Sequence, residues 1–200
     1  MTAADRLARA YALIDKANAD DPVRVMVDGV ERPYAVRYGE EMTRRLAELV
    51  SDASDALRIA CRAQHIRRFD VPRATYPMDK PGYHAWRNGL KDHHARLAAD
   101  IMAEVGYDED TIARMRSIIR KERLKRDPEA QALEDCACLV FLEHEFVPFA
   151  AEHSDEKIVD IVAKTWVKMS DAGHAAALQL APLLPERLQR LVGEAVARRP

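Results

Sequence analysis

The sequence predicts an all-α fold with one small β-hairpin near the N-terminus, and three observations carry that reading. Apolar residues recur at three- and four-residue spacing through most of the chain, Gly and Pro punctuate it at helix-length intervals, and strand-like alternation is confined to Val23–Pro33. With 200 residues, 48% of them hydrophobic, the chain can bury one sizeable core, so a single α-helical domain over residues 1–200 is expected.

Thr2 to Asn18 places Leu7, Ala10, Leu13 and Ile14 on one face of an amphipathic helix, which Asp20-Asp21-Pro22 breaks. Val23 to Pro33 then combines β-branched residues with an Asp28-Gly29 turn, the pattern of a hairpin. A second helix, from about Val36 to Val50, turns Met42, Leu46 and Leu49 inward, and a third runs from a Ser51 or Ser54 cap to an end at His65. Ala74 to Gly82, with Pro77 and Pro81, reads as a loop, and a long helix follows from His84 to Val105 along Trp86, Leu90, His94, Leu97 and Ile101. Gly106 ends it. Asp108 caps a helix from Thr111 to Lys125, and Asp127-Pro128 opens one from Glu129 to Phe146 that is apolar nearly all round. Ser154 to Ser170 is amphipathic and closed by Gly173, and short helices at His174–Leu180 and Glu186–Arg198 finish the chain. The pattern amounts to roughly eight helices.

Charge and cysteine usage exclude several classes. Lys+Arg 31 against Asp+Glu 33 leaves a formal charge of -2, so there is no global basic field for nucleic acid. No segment approaches the ~20 apolar residues of a membrane span, and Met1 to Arg6 lacks a signal peptide's apolar run. Three cysteines, Cys61, Cys136 and Cys138, lie inside helical patterns without zinc spacing. A soluble, reduced, cytoplasmic protein is expected, with no oligomeric state set by the sequence.

The candidate site centres on Gln64-His65-Ile66-Arg67-Arg68-Phe69, where an apolar stripe runs into an amide and an imidazole. His65, Asp135 and Gln64 are the candidate catalytic groups. Asp135 lies on the line Gln131, Asp135, Leu139, Leu142, where a carboxylate is costly without a cation, metal or donors. His65, His94 and Asp135 come one from each of three core helices, a ligand set suited to Zn, Mn or Fe. Taken singly, His65 would bond a backbone carbonyl, His94 would lie at the surface and Asp135 would pair with an arginine. Arg67, Arg68, Arg73 and Arg87, with Lys80 and Tyr83, form a cationic run interleaved with prolines and aromatics, suited to phosphate. Lys121, at a helix end where a cation offsets the dipole, is carried with them as an anion-binding candidate.

Cys61 to Phe69, Pro72-Arg73, Tyr76-Pro77, Gly82-Tyr83, Trp86-Arg87 and Glu134 to Leu142 resemble domain-of-unknown-function family 4202 over nearly the whole chain. More distantly, the same segments resemble the HD superfamily of metal-dependent phosphohydrolases, which implies an HD-like helical bundle. The helix bearing the His-Asp doublet would correspond to Ala60–Phe69 and that of the final aspartate ligand to Leu133–Leu142. At the doublet this chain reads His65-Ile66, and no histidine precedes it; Glu41 or Tyr38 lies where the first ligand would fall. The resemblance implies either a divalent metal held by a changed set, His65, His94, Asp135 and Glu41, or a pocket that binds an anion without metal. The expected function is hydrolysis of a small phosphorylated, nucleotide-like compound, with a non-catalytic anion-binding or regulatory module as the alternative.

Overall fold

Thr2 closes the start of α1 (Ala3–Asn18) reciprocally: its hydroxyl accepts from Asp5 N while the Asp5 carboxylate accepts from Thr2 N. The computed structural model describes residues 2–198, and among them ten α-helices accompany a single hairpin. In the hairpin, β1 (Arg24–Val27) pairs antiparallel with β2 (Val30–Pro33), Val27 facing Val30. Asp28 and Gly29 both take positive φ, 49° and 80°, as a two-residue primed turn requires.

Next come α2 (Tyr34–Leu49) and α3 (Asp55–Arg62), the latter capped by the Ser54 hydroxyl. The two approach so closely at Gly39 that a Cβ there would lie 2.8 Å from the Arg62 carbonyl oxygen. α3 ends at Arg62 and not at His65; residues 63–67 form turns, and Arg67 is left-handed at φ 47°. The expected loop is shorter too, because α4 (Lys80–Glu104) takes Pro81 into its first turn, where a missing N–H costs nothing, and is capped by Asp79.

After α5 (Glu109–Arg120) the chain leaves the helix five residues before the expected end, because Lys121 and Arg123 adopt φ of 57° and 55°. α6 (Pro128–Val140) also stops early and passes through a π-helical turn, Phe141–Glu145, into α7 (Phe146–Ala151). Pro148 lacks the N–H that would bond the His144 carbonyl, and the wider turn accommodates it. α8 (Asp155–Trp166), α9 (Asp171–Leu180) and α10 (Glu186–Ala197) complete the chain. Gly173 belongs to the first turn of α9 and does not close α8.

The largest core cluster joins α1 to α6 through Ile14, Met42, Leu57, Met102, Met115 and Leu133. A second forms around Phe146, Ile158, Leu188 and Leu191 of α7, α8 and α10. Cys138 and Leu139 of α6 pack instead with Trp166, Met169 and Leu180. α6 thus has apolar neighbours on opposite sides, which explains its nearly continuous hydrophobicity. Among the described residues, no helix is long and apolar enough to cross a membrane.

Candidate functional site

Because α3 ends at Arg62, His65 projects from a turn between α2 and α4. Its ring stacks on Tyr38 of α2, centroids 4.0 Å apart, and stands 6.0 Å from the ring of His94 on α4. The buried atoms Gln64 Oε1, His65 Nδ1 and His94 Nε2 all lack hydrogen-bond partners among the described residues. Three such atoms beside one another are unusual in a folded protein, where buried polar groups are nearly always paired. Burial, reinforced by the Arg68 guanidinium, pushes the His94 pKa down to about 3 and that of His65 well below its ordinary value. Both rings are therefore neutral at pH 7.

In front of His65 opens a cleft of about 490 Å³. α4 contributes Tyr83 and Arg87, the end of α5 Lys121, α6 Glu134 and Cys138, and the π turn Glu145. Lys164 of α8 and Lys168 just beyond it line the far side. Lys121 reaches the cleft because its left-handed backbone turns the chain sharply off α5. Its ammonium pairs with Glu134, each side chain nearly buried. Burial pushes the Glu134 carboxyl up, but Lys121, then Lys168 and Arg87, outweigh it and hold the pKa below the carboxylate range.

The charges of the cleft do not cancel. Glu134 is neutralised by Lys121, Glu145 accepts from the Tyr34 hydroxyl at 2.5 Å, and Lys164 is paired with Asp160 at 2.6 Å. Arg87 finds only the Tyr83 hydroxyl, at 3.3 Å, and Lys168 has no carboxylate partner among the described residues. The surplus is felt nearby: burial first, then Lys121 and Arg87, depress the pKa of Lys91.

Behind His65 lies a second chamber of about 260 Å³, lined mainly by Tyr34, Phe69, Val71, Trp86 and Arg68. His65 belongs to both walls. Arg68 is half-buried, stacks 4.6 Å from the Trp86 ring centre, and has no carboxylate within ion-pair reach among the described residues. Burial and then Arg87 pull its pKa below the usual guanidinium value.

Of the residues expected from the sequence, Gln64, His65, Tyr83, Arg87 and Lys121 meet at the cleft, and Arg68 lines the chamber behind. The others are engaged elsewhere. Asp135 points away: it accepts from Ser170 N at 2.9 Å, Ser170 Oγ at 2.5 Å and Gln131 Nε2 at 3.0 Å, capping the α8–α9 corner. Arg67 is held by Asp70, and Arg73 lines the rear chamber with its guanidinium tied to the carbonyls of Tyr76 and Asp79. Lys80 is exposed at the start of α4 and lines neither space. Glu41 pairs with Arg44 and His144.

The four residues expected to hold a metal therefore do not converge. Among the described residues, the one trio whose ligating atoms all fall within 4.8 Å is Glu41, Glu143 and His144. Arg44 and Arg45 already compensate its carboxylates.

The expectations did not include Glu134, Glu145, Lys164 and Lys168. Glu134 carried no local signal, since α6 is apolar nearly all round; in the structure it shares a face with Ala137 and Cys138, one helical turn on, and meets Lys121 there. Lys164 and Lys168 are four residues apart beside Ile161 and Thr165, a basic edge on an apolar stripe.

A family model described as a domain of unknown function, DUF4202, matches residues 8–192. The chain belongs to this family. Comparisons with curated proteins and with solved structures find no significant match. The DUF4202 match includes every cleft residue from Tyr38 to Lys168, so the cationic surface and the unpaired polar atoms lie inside the family's own span.

Proposed function

We propose that this DUF4202 chain binds a small phosphorylated compound in the cleft in front of His65. The observation that carries the reading is the surplus positive charge there: Arg87 and Lys168 have no carboxylate partner among the described residues, Glu134 is taken by Lys121, and Glu145, bonded to the Tyr34 hydroxyl, offsets one of the two cations. An anionic phosphate supplies the missing negative charge, and Arg87 offers a planar fork for two of its oxygens. Gln64 and His65, left without hydrogen bonds, would orient the group. Two non-glycine residues in left-handed conformations, Arg67 two residues after His65 and Lys121 itself, belong to the turns that carry the site, and strained backbone of this kind concentrates at functional sites. The buried thiols suit a reducing, cytoplasmic setting.

A second reading is hydrolysis of that compound. It is favoured by the His65 ring, whose Nδ1 is left without a hydrogen-bond partner among the described residues and is free to hold a water against the phosphate. The resemblance to HD phosphohydrolases supports the same ligand class. Because the expected donors do not converge, no step is assigned to a metal.

The test is thermal denaturation with matched pairs of phosphorylated and dephosphorylated compounds. Phosphorylated members raise the melting temperature, their partners do not, and added salt reduces the shift. Arg87→Met and Lys168→Met, both at exposed positions, reduce it without changing the melting temperature of the free protein. Equal shifts within every pair would sink the reading. Phosphate release that disappears in His65→Asn while that variant keeps the melting shift with phosphorylated compounds would favour hydrolysis over binding alone.

A further inference from the structure

We infer that the compound is a phosphate ester whose other end is a flat ring, and that the ring occupies the chamber behind His65, where Arg68 selects it. The inference rests on the phosphate-binding reading above and specifies its ligand. His65 lines both spaces and so belongs to a wall common to the two. They are also linked at Tyr34, which lines the rear chamber while its hydroxyl donates to Glu145 of the front cleft. In this proposal a molecule with its phosphate against Arg87 and Lys168 extends its remainder past the shared wall into the rear chamber.

The rear chamber is unsuited to a second phosphate. Arg73 spends its donors on two backbone carbonyls, and Asp21, the chamber's carboxylate, accepts from Val23 N and Ala35 N, each at 2.9 Å. What remains on its surface is flat and apolar: the rings of Phe69, Tyr34 and Trp86, with Val71 and Pro72 between them. Arg68 is the exception and the key. Its guanidinium carbon already sits over the Trp86 ring, 4.6 Å from the centroid, and it has no carboxylate partner among the described residues. A planar cation stacked on one aromatic face can carry a second ring on the other, which a sugar or an alkyl chain cannot exploit. The Trp86 indole is fixed by its own bond to the Val71 carbonyl, at 2.8 Å, so the platform is preorganised.

The experiment is calorimetric titration of the full chain with four probes: phenyl phosphate, a purine nucleoside monophosphate, ribose 5-phosphate and inorganic phosphate. At least one of the two ring esters should bind about tenfold or more tightly than ribose 5-phosphate, the gain expected from one stacking contact. Arg68→Lys keeps the charge and loses the plane; it should abolish that preference while ribose 5-phosphate affinity changes by less than about threefold. Phe69→Ala, at a half-buried position, is the second variant, and both are checked for unchanged melting. Equal affinity for all four phosphates overturns the ring assignment and leaves phosphate binding standing. A ring preference that survives in both folded variants overturns the role of Arg68 and its chamber. Binding of none of the four overturns this inference together with the reading beneath it.

Discussion

The imidazole of His65 lies face to face on the phenol of Tyr38, ring centroids 4.0 Å apart and planes 15° from parallel. Neither partner is oriented by a hydrogen bond among the described residues, so the stack sets where His65 points. Tyr38→Phe preserves the ring and should stay within about 1 kcal/mol of the parent in urea denaturation. Tyr38→Ala removes a ring only 4% exposed and should cost about 3–5 kcal/mol, with loss of phosphate-dependent stabilisation.

Acid should destabilise the protein before its carboxylates titrate. His94, at about 3, and His65 hold folded pKa values below the value near 6.5 of an unfolded chain. Between those limits the unfolded state binds more protons, so stability is lost as pH falls from about 6.5. Each buried ring contributes at most about 1.4 kcal/mol per pH unit. Melting temperatures from pH 7.5 to 4.5 check this; His94→Gln should flatten the profile, and an unchanged slope would place the acid sensitivity elsewhere.

Asp135→Ala should unfold the chain more readily without touching the cleft. Three donors from Ser170 and Gln131 lose a charged acceptor, at a cost of about 3 kcal/mol or more. Asp135→Asn should recover part of it. At a temperature where the variant remains folded, calorimetric affinity for phosphorylated compounds should equal the parent's, and a selective loss of affinity would contradict the capping role.

Two glycines inside helices should respond to alanine with opposite signs. At Gly39 the new Cβ meets the Arg62 carbonyl at 2.8 Å and prises α2 from α3, for a net cost of about 1–3 kcal/mol. At Gly193 nothing lies within 4 Å, and alanine should stabilise α10 by about 0.5–1 kcal/mol. Chemical denaturation of the two variants side by side measures both.

Local chemistry, by itself, determined the elements and most of their beginnings. Asp108 caps a helix as expected, Ser54 and not Ser51 caps α3, Thr2 and Ser154, where helices were expected to start, are their caps, and Asp28-Gly29 makes the hairpin turn. These depend on contacts within a few residues, which periodicity and capping chemistry report directly. Helix ends were harder, because α5 ends at a left-handed Lys121 and the turns after α3 close on a left-handed Arg67, conformations that only surrounding packing sustains in residues other than glycine.

The composition of the site was decided by tertiary structure. α6 is apolar nearly all round, so its pattern carries no phase that says whether Glu134 or Asp135 faces the histidines. The end of α5 delivers Lys121 to Glu134, while the α8–α9 corner delivers the Ser170 donors to Asp135. A buried carboxylate goes where its counter-charge or donors are, and those partners lie 13 and 35 residues away in sequence, beyond the reach of any local pattern.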